Sequence, residues 1–454
     1  MSEPVRPPAR FLTGSTLGHV LRMTLTGSIG LVSVFVVDAI SLFYIAQLGK
    51  QELTAALGFA STLLFFVGSV SIGLSIAAGA LTSRALGQGN RDLARRNASA
   101  ALAIVLITMS ALALLVLPLL RPMLALIGAK GEVANAALQF IWILLPSSPL
   151  LGLGMCCSGL LRALGDAKRA MWVTLLPALS LLLLDPLMIF GFGLELRGAA
   201  VATVLARVFI VSIGLFGLVR VHRLFAMPSA TSVRAVLRPF FAIGGPAIMT
   251  QIATPFANSF VTASMAQFGD DAVAGSAIIA RLTPMAFGAL FAMSGSVGPI
   301  IGQNLGAKRY DRVRSTVTDS IWVAFVYCLV MSLVLAVFSG PIARGFGALG
   351  QAYDVVVFFC VFVAGSFVFS GMLFVANAAF NNLGYALFST VLNWGRATLG
   401  VVPFVWLGGL WFGPRGVVAG SALGALVFGL IATWLCYRVI AKLQRTQAAT
   451  VSGL

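Results

Sequence analysis

Long apolar runs, each bounded by Gly, Pro or charge, recur along the whole chain and are too long for strands. About 20 residues are needed to cross a hydrocarbon core as a helix. On that measure the pattern predicts helices at 21–47, 53–82, 96–120, 132–161, 170–193, 198–219, 239–267, 272–302, 315–340, 351–380, 386–410 and 416–437. The ten-residue alternating segments of an outer-membrane barrel do not occur. The expected fold class is therefore an all-α membrane protein of twelve transmembrane helices.

The pattern also repeats. Gly79, Leu86, Gly87, Asp92 and Arg95 recur 219 residues later as Gly298, Leu305, Gly306, Asp311 and Arg314, and Leu164-Gly165 recurs as Leu383-Gly384. Ala46-Gln47 and Gly49 recur at an offset of 220, and Arg197-Gly198 at 218. Two pseudo-symmetric six-helix lobes follow, 1–221 and 238–454, joined by the basic connector 222–237 with its Met227-Pro228-Ser229. An even number of helices per repeat sets both lobes in one orientation about an axis along the membrane normal, with a cleft between them. That geometry suits alternating access, and both lobes in one chain suit function as a monomer.

Composition sharpens this picture. Residues are 59% hydrophobic and 9% charged, with a mean hydropathy of +1.01, so lipid is the expected surrounding. The net charge of +17 would suggest nucleic acid in a soluble chain, but the basic residues fall in loops and offer no separate domain for it. Of the 30 Lys and Arg, 21 lie on the side of the termini, Arg6 among them, and six on the other. The positive-inside rule then places both termini in the cytoplasm. The first residues lack the short apolar core of a cleavable signal. Cys156, Cys157, Cys328, Cys360 and Cys436 fall in apolar spans as packing residues, and His19 and His222 give metal chemistry no ligand set.

The loops ALTSRALGQGNRD and PIIGQNLGAKRYDR, the LLRALGDAKRAM loop and the stretch LLLLDPLMIFGFGLELRGAAVAT resemble the multidrug and toxic compound extrusion (MATE) family over nearly the whole chain. Asp38 in FVVDAISLF, beside the Asp-Pro of the fifth helix, is most similar to the DinF-like branch. Another branch places a glutamate nine residues after a proline of the seventh helix, where this chain has Pro255 after Pro246. The resemblance implies a non-enzymatic antiporter of the inner membrane, driven by H⁺ or Na⁺ without a cofactor, exporting lipophilic and often cationic compounds.

Thirteen acids occur in the chain, and Glu3 and ten others belong to termini, loops or helix ends. Asp38 and Asp185 alone sit well inside spans, where a charge costs about 3 kcal/mol or more and usually marks an ion or substrate path. Two carboxylates in such a setting suit proton carriage. The repeat puts Asn258 where the first lobe has Asp38, and Pro403-Phe404 opposite Asp185, so cation coupling is expected in the first lobe. The resemblance adds Thr203 as a polar neighbour of Asp185. It also marks Ser158 and Leu181 as positions where the family often has asparagine. Oxygen ligands for Na⁺ are then scarce, which favours H⁺.

Arg207, Arg281 and Arg396 are the intramembrane arginines, candidates for lining a cavity or for pairing; a cluster of them would favour an anionic substrate. Pairing of Asp38 and Asp185 with an arginine such as Arg207 is the competing structural role for the acids. Met265, Met285, Phe287, Met293 and Phe374 are candidates for an adaptable apolar wall or plain core. Gly27 and Gly30, Pro146 and Pro149, Gly244-Gly245-Pro246 and Pro255 are expected helix breaks. A lipid-linked precursor flippase or metabolite exporter is the alternative; a membrane enzyme has no catalytic set to support it.

Overall fold

The structure, a computed structural model, describes residues 9–452, so Glu3 and Arg6 lie outside the described residues. Among the described residues the regular structure is helical throughout. The spans are α1 (Thr16–Ala46), α2 (Gln51–Gly87), α3 (Arg91–Leu126), α4 (Gly131–Ala163), α5 (Ala167–Gly191), α6 (Glu195–Val221) and α7 (Ala230–Ala266). There follow α8 (Asp270–Ala286 continued by Gly288–Gly306), α9 (Tyr310–Val337) and α10 (Gly350–Leu383). The last stretch, Ala386–Ala449, is broken at Gly413, whose φ of 60° and ψ of −144° are not helical. Dividing there gives α11 (386–412) and α12 (414–449), twelve spans in all.

Several helices run past the expected ends. α2 continues to Gly87 rather than 82, α3 begins at Arg91 rather than 96, and α7 begins at Ala230, inside the stretch read as connector. Hydropathy marks what hydrocarbon covers, whereas backbone hydrogen bonding continues into water until a cap stops it. Asn90 caps α3 by accepting from the Leu93 N–H at 2.9 Å, and Asp166 caps α5 by accepting from the Arg169 N–H at 3.1 Å.

Breaks follow proline only in part. The ladder tightens to 3₁₀ at Leu117–Leu119 and Leu145–Ser147, each containing a proline. The equivalent of the second, Ala364–Ser366, has none. α8 bends by 48° between Ala286 and Gly288, shortly after Pro284. Helical structure runs unbroken through Gly27, Gly30 and Gly244-Gly245-Pro246. Gly27 and Gly30 serve close approach instead: a Cβ would lie 3.2 Å from Ser296 Oγ at the first and 2.1 Å from Thr174 Oγ1 at the second.

The repeat is written in the backbone. Left-handed residues recur as Gly49 and Gly269, Gly89 and Lys308, Gly128 and Gly347, Gly131 and Gly350, Gly165 and Gly384, and Gly193 and Gly413. Each pair is 219 or 220 residues apart. These are the turns between spans, where glycine adopts positive φ without steric cost.

The described chain forms two compact units. One takes Ile29–Leu86 and Asn90–Ile248; the other takes residues 9–28, Gly87–Gly89 and 249–452. In the first, the stretch before α7 is clasped by its own unit. Arg91 Nη2 donates to His222 O at 2.6 Å, Arg95 Nε to Phe225 O at 2.7 Å, and the Ala226 N–H to Ser99 Oγ at 2.8 Å. Asp166 accepts from His222 Nε2 at 2.7 Å and from Arg169 Nη1 at 2.6 Å. Burial alone would raise the Asp166 carboxyl, but the His222 and Arg169 hydrogen bonds outweigh it and hold the group well below the usual carboxylate range.

In the second unit the stretch before α1 is held alike. Phe11 is fully buried; its N–H donates to Gln303 Oε1 at 2.9 Å and its carbonyl accepts from Arg312 Nη2 at 3.0 Å. α11 and α12 meet along glycines. A Cβ would come within 2.1 Å of Gly400 O at Gly424, 2.2 Å of Phe404 O at Gly420 and 1.8 Å of Gly408 O at Gly416. Small residues four apart let two backbones approach where lipid supplies no hydrophobic drive. All five cysteines are buried and free, as packing residues.

Gly420→Val should lower the midpoint of thermal unfolding by several degrees, because the clash is with backbone. Gly58→Ala, where a Cβ meets nothing within 4 Å, should leave it unchanged or slightly raised. The Asp166 clasp should stabilise fully above the unfolded carboxylate value of about 4 and lose its effect as pH falls toward the lower folded value. Thermal scans of wild type and Asp166→Asn should therefore differ at pH 7 and converge in acid.

Candidate functional site

α1 and α5 run side by side in a constant register within one unit. The Gly30 backbone meets Thr174, the Ser41 hydroxyl donates to Asp185 Oδ2, and the Tyr44 ring meets Phe190 edge-on at 6.2 Å. The first two pairs are each 144 residues apart. The two helices therefore run in the same direction, and whatever α1 presents at residues 38–41 arrives at Asp185. Asp38 and Ser41 are one turn apart and share a helix face.

Asp185 is buried, with 2% of its surface exposed, while Asp38 is exposed. Asp38 is carried on the α1 face that Ser41 brings to Asp185. One carboxylate is thus fixed by a hydroxyl donor, and the other stands one turn from that donor on α1. Two like charges so placed are relieved by a bound proton or a small cation.

Ser41 was not among the residues expected here. Its signal in the sequence is modest: a hydroxyl three residues after an intramembrane acid, on the same face. Helical spacing alone cannot show which of several small polar residues on α1 meets α5.

The other predicted residues fall in different places. Thr203 reaches the level of Asp185, because Gly198, just before it on α6, packs on the Met188 backbone; its hydroxyl donates to Ala199 O of its own helix at 2.9 Å. Ser158 is buried, and its hydroxyl donates to Ala170 O at 3.4 Å. Ala170 lies 15 residues before Asp185 on α5, roughly 20 Å along the helix, so Ser158 does not join the acids. Arg207, considered as their partner, uses its guanidinium elsewhere. Its Nη1 donates to Leu144 O and Ser147 Oγ, both at 2.7 Å, bracing the Pro146 break of α4.

In the second unit Asn258 is exposed, like its counterpart Asp38, and Arg281 is exposed too. Val261 stands where the first repeat has Ser41, so the hydroxyl bridge is not duplicated. Of the residues considered for an adaptable wall, Met265, Phe287 and Met293 are fully buried core, whereas Met285 is 39% exposed.

A two-fold helical repeat with an acid pair inside the spans of one unit is the architecture of a membrane transporter. The MatE family model matches residues 28–187 and again 246–407, one copy in each repeat. The chain belongs to the MatE family, whose members are transporters and not enzymes. Over 447 residues it is 27% identical to the FAD transporter of Shewanella oneidensis, covering 97% of this chain and 99% of that one. It is 24% identical over 454 residues to the multidrug export protein MepA of Staphylococcus aureus, with 96% of each covered. Among solved structures it matches the Vibrio cholerae MATE transporter VcmN with a TM-score of 0.88 at 26% identity, over 95% of this chain and 97% of that one. A MOP superfamily transporter from Pyrococcus furiosus shares the fold, with a TM-score of 0.90 at 21% identity over 97% and 100% of the two chains.

Ser41→Ala should reduce gradient-driven transport several-fold while leaving folding intact, since it removes one hydrogen bond to a charged group. Asp185→Asn should cost more. Initial rates in liposomes check the order.

Proposed function

We propose that the chain is a cation-coupled antiporter exporting lipophilic, often cationic compounds by alternating access, with Asp38 and Asp185 as the coupling site and H⁺ as the favoured ion. The observation that carries this reading is the hydrogen bond from Ser41 to Asp185, which brings the Asp38-bearing face of α1 to the acid of α5 in a single compact unit. The hydroxyls considered with the acids are two: Ser41, which donates to Asp185, and Thr203, which donates to its own helix. A proton needs one acceptor, whereas Na⁺ needs several oxygens at once. Protonation would remove the charge repulsion, and by reciprocity whatever the ion does to drug affinity the drug does to ion affinity.

The multidrug export relatives support a small-molecule cargo. The two lobes of the repeat are then the moving parts, both termini are cytoplasmic, the membrane is the inner membrane, and one chain is a working unit in contact with lipid. The Asp38-bearing first helix favours the DinF-like branch. Thr203 is the polar residue at the level of the acids that a rotation of its hydroxyl would add to the site.

Purified protein in liposomes, loaded with a fluorescent lipophilic cation under an imposed pH or Na⁺ gradient, tests this. Wild type should move the dye against its gradient with pH and not with Na⁺. Asp38→Asn and Asp185→Asn should each lower the coupled rate at least about tenfold, the loss of a charge-dependent interaction of over 1 kcal/mol. Undiminished coupled flux in both variants would remove the carboxylate mechanism.

A further inference from the structure

A second intramembrane charge stands apart from the acid pair. Arg396 lies in α11, on a π-helical turn, Arg396–Gly400, and π-turns inside helices are frequent at functional sites. The side chain is half-buried. Its Nε is sealed from solvent without a hydrogen-bond partner. Among the described residues the guanidinium makes one hydrogen bond, from Nη2 to Thr254 Oγ1 on α7 at 3.4 Å, the weak end of the range.

An arginine offers five N–H donors, and holding its charge at membrane depth costs about 3 kcal/mol on insertion scales. Arg207 shows how the fold satisfies a structural arginine, with two contacts at 2.7 Å. Arg396 has nothing comparable. The acids of its own unit are engaged or distant in sequence: Asp319 accepts from Thr16, Asp354 pairs with Arg415, and Asp270, Asp271 and Asp311 sit at the first turns of α8 and α9.

The surroundings suit an amphiphile. Trp394 Nε1 donates to Met249 O at 3.0 Å, joining α11 to α7. Its ring lies 5.5 Å from that of Phe256, which is 45% exposed. Thr254 precedes Pro255, whose missing N–H leaves the Gln251 carbonyl without its helical donor. A guanidinium, a hydroxyl and an aromatic surface thus converge at one junction of α7 and α11.

We infer that Arg396 and Thr254 form a binding site for an anionic group, a phosphate, sulfonate or carboxylate, on an amphiphilic ligand whose apolar part lies against Phe256 and Trp394. An anion in this place supplies the acceptors that the guanidinium lacks, in the fork geometry arginine favours. The site goes beyond the cation site of α1 and α5, and its occupancy is readable without coupled transport.

The test is direct binding to the full chain in phosphatidylcholine nanodiscs, by fluorescence anisotropy. The probes are fluorescein, an anion, and a cationic rhodamine ester on the same xanthene frame. Wild type should bind fluorescein, and Arg396→Gln should weaken that binding roughly tenfold or more, as expected for a lost charged hydrogen bond. Arg396→Lys should retain part of it. Rhodamine binding should change less than about twofold in both, which also shows that the variants fold. A repeat with phosphatidylglycerol separates the sources. Competition by this lipid in wild type but not in Arg396→Gln identifies a lipid headgroup as the occupant, and fluorescein binding indifferent to it identifies a free anion. Equal fluorescein binding by wild type and Arg396→Gln, or none by wild type, overturns the inference.

Discussion

A hydrocarbon core has no hydrogen bonds to offer, and this one constraint shapes the rest of the molecule. Backbone N–H and C=O groups at membrane depth must find partners within the protein, which leaves helices as the architecture of the described residues. It also makes each departure from regular helix informative. The 3₁₀ turns of α4 and α10 sit at equivalent positions of the repeat, one with a proline and one without. A bend kept after its proline is absent belongs to the packing of the repeat rather than to local chemistry.

The same constraint explains how helices are held together. Between apolar helices in lipid there is little hydrophobic drive, so contact distance decides. The glycines of α11 and α12 allow backbone to touch backbone, and Gly198 does the same for α6 against α5. At the aqueous ends hydrogen bonds to charged groups take over. Arg91, Arg95 and Asp166 fasten the stretch before α7, while Arg312 and Gln303 fasten the stretch before α1. Each compact unit therefore ends in a polar clasp where water competes, and in a dry seam where it does not.

Asp38 and Asp185 lie in one unit, where the hydroxyl of Ser41, one turn from Asp38, donates to Asp185. Arg396 stands in the other with one long hydrogen bond. Arg207, in the unit of the acids, donates to Leu144 O and Ser147 Oγ beside the Pro146 break. Residues of one type at similar depth thus do different work, according to what their neighbours leave unsatisfied.

Much of this was legible in the chain itself. Apolar run length gave twelve spans because the thickness of a bilayer fixes the length of a helix that crosses it. The recurrence of Gly49, Gly165 and their partners gave the repeat, because only glycine turns left-handed without cost. The rarity of acids in apolar runs singled out Asp38 and Asp185 as candidates, because a charge at membrane depth is costly. Tertiary structure alone decided which residues meet. The register of α1 against α5 brings Ser41 to Asp185, while that of α4 against α5 sets Ser158 at Ala170, about 20 Å along α5 from Asp185. Crossing of α6 with α4 engages Arg207 while α7 and α11 leave Arg396 nearly bare. Helical periodicity fixes the face a side chain occupies on its own helix, but the partner is set by helix-to-helix register. Register in lipid depends on close packing between surfaces far apart in sequence, which no local pattern encodes.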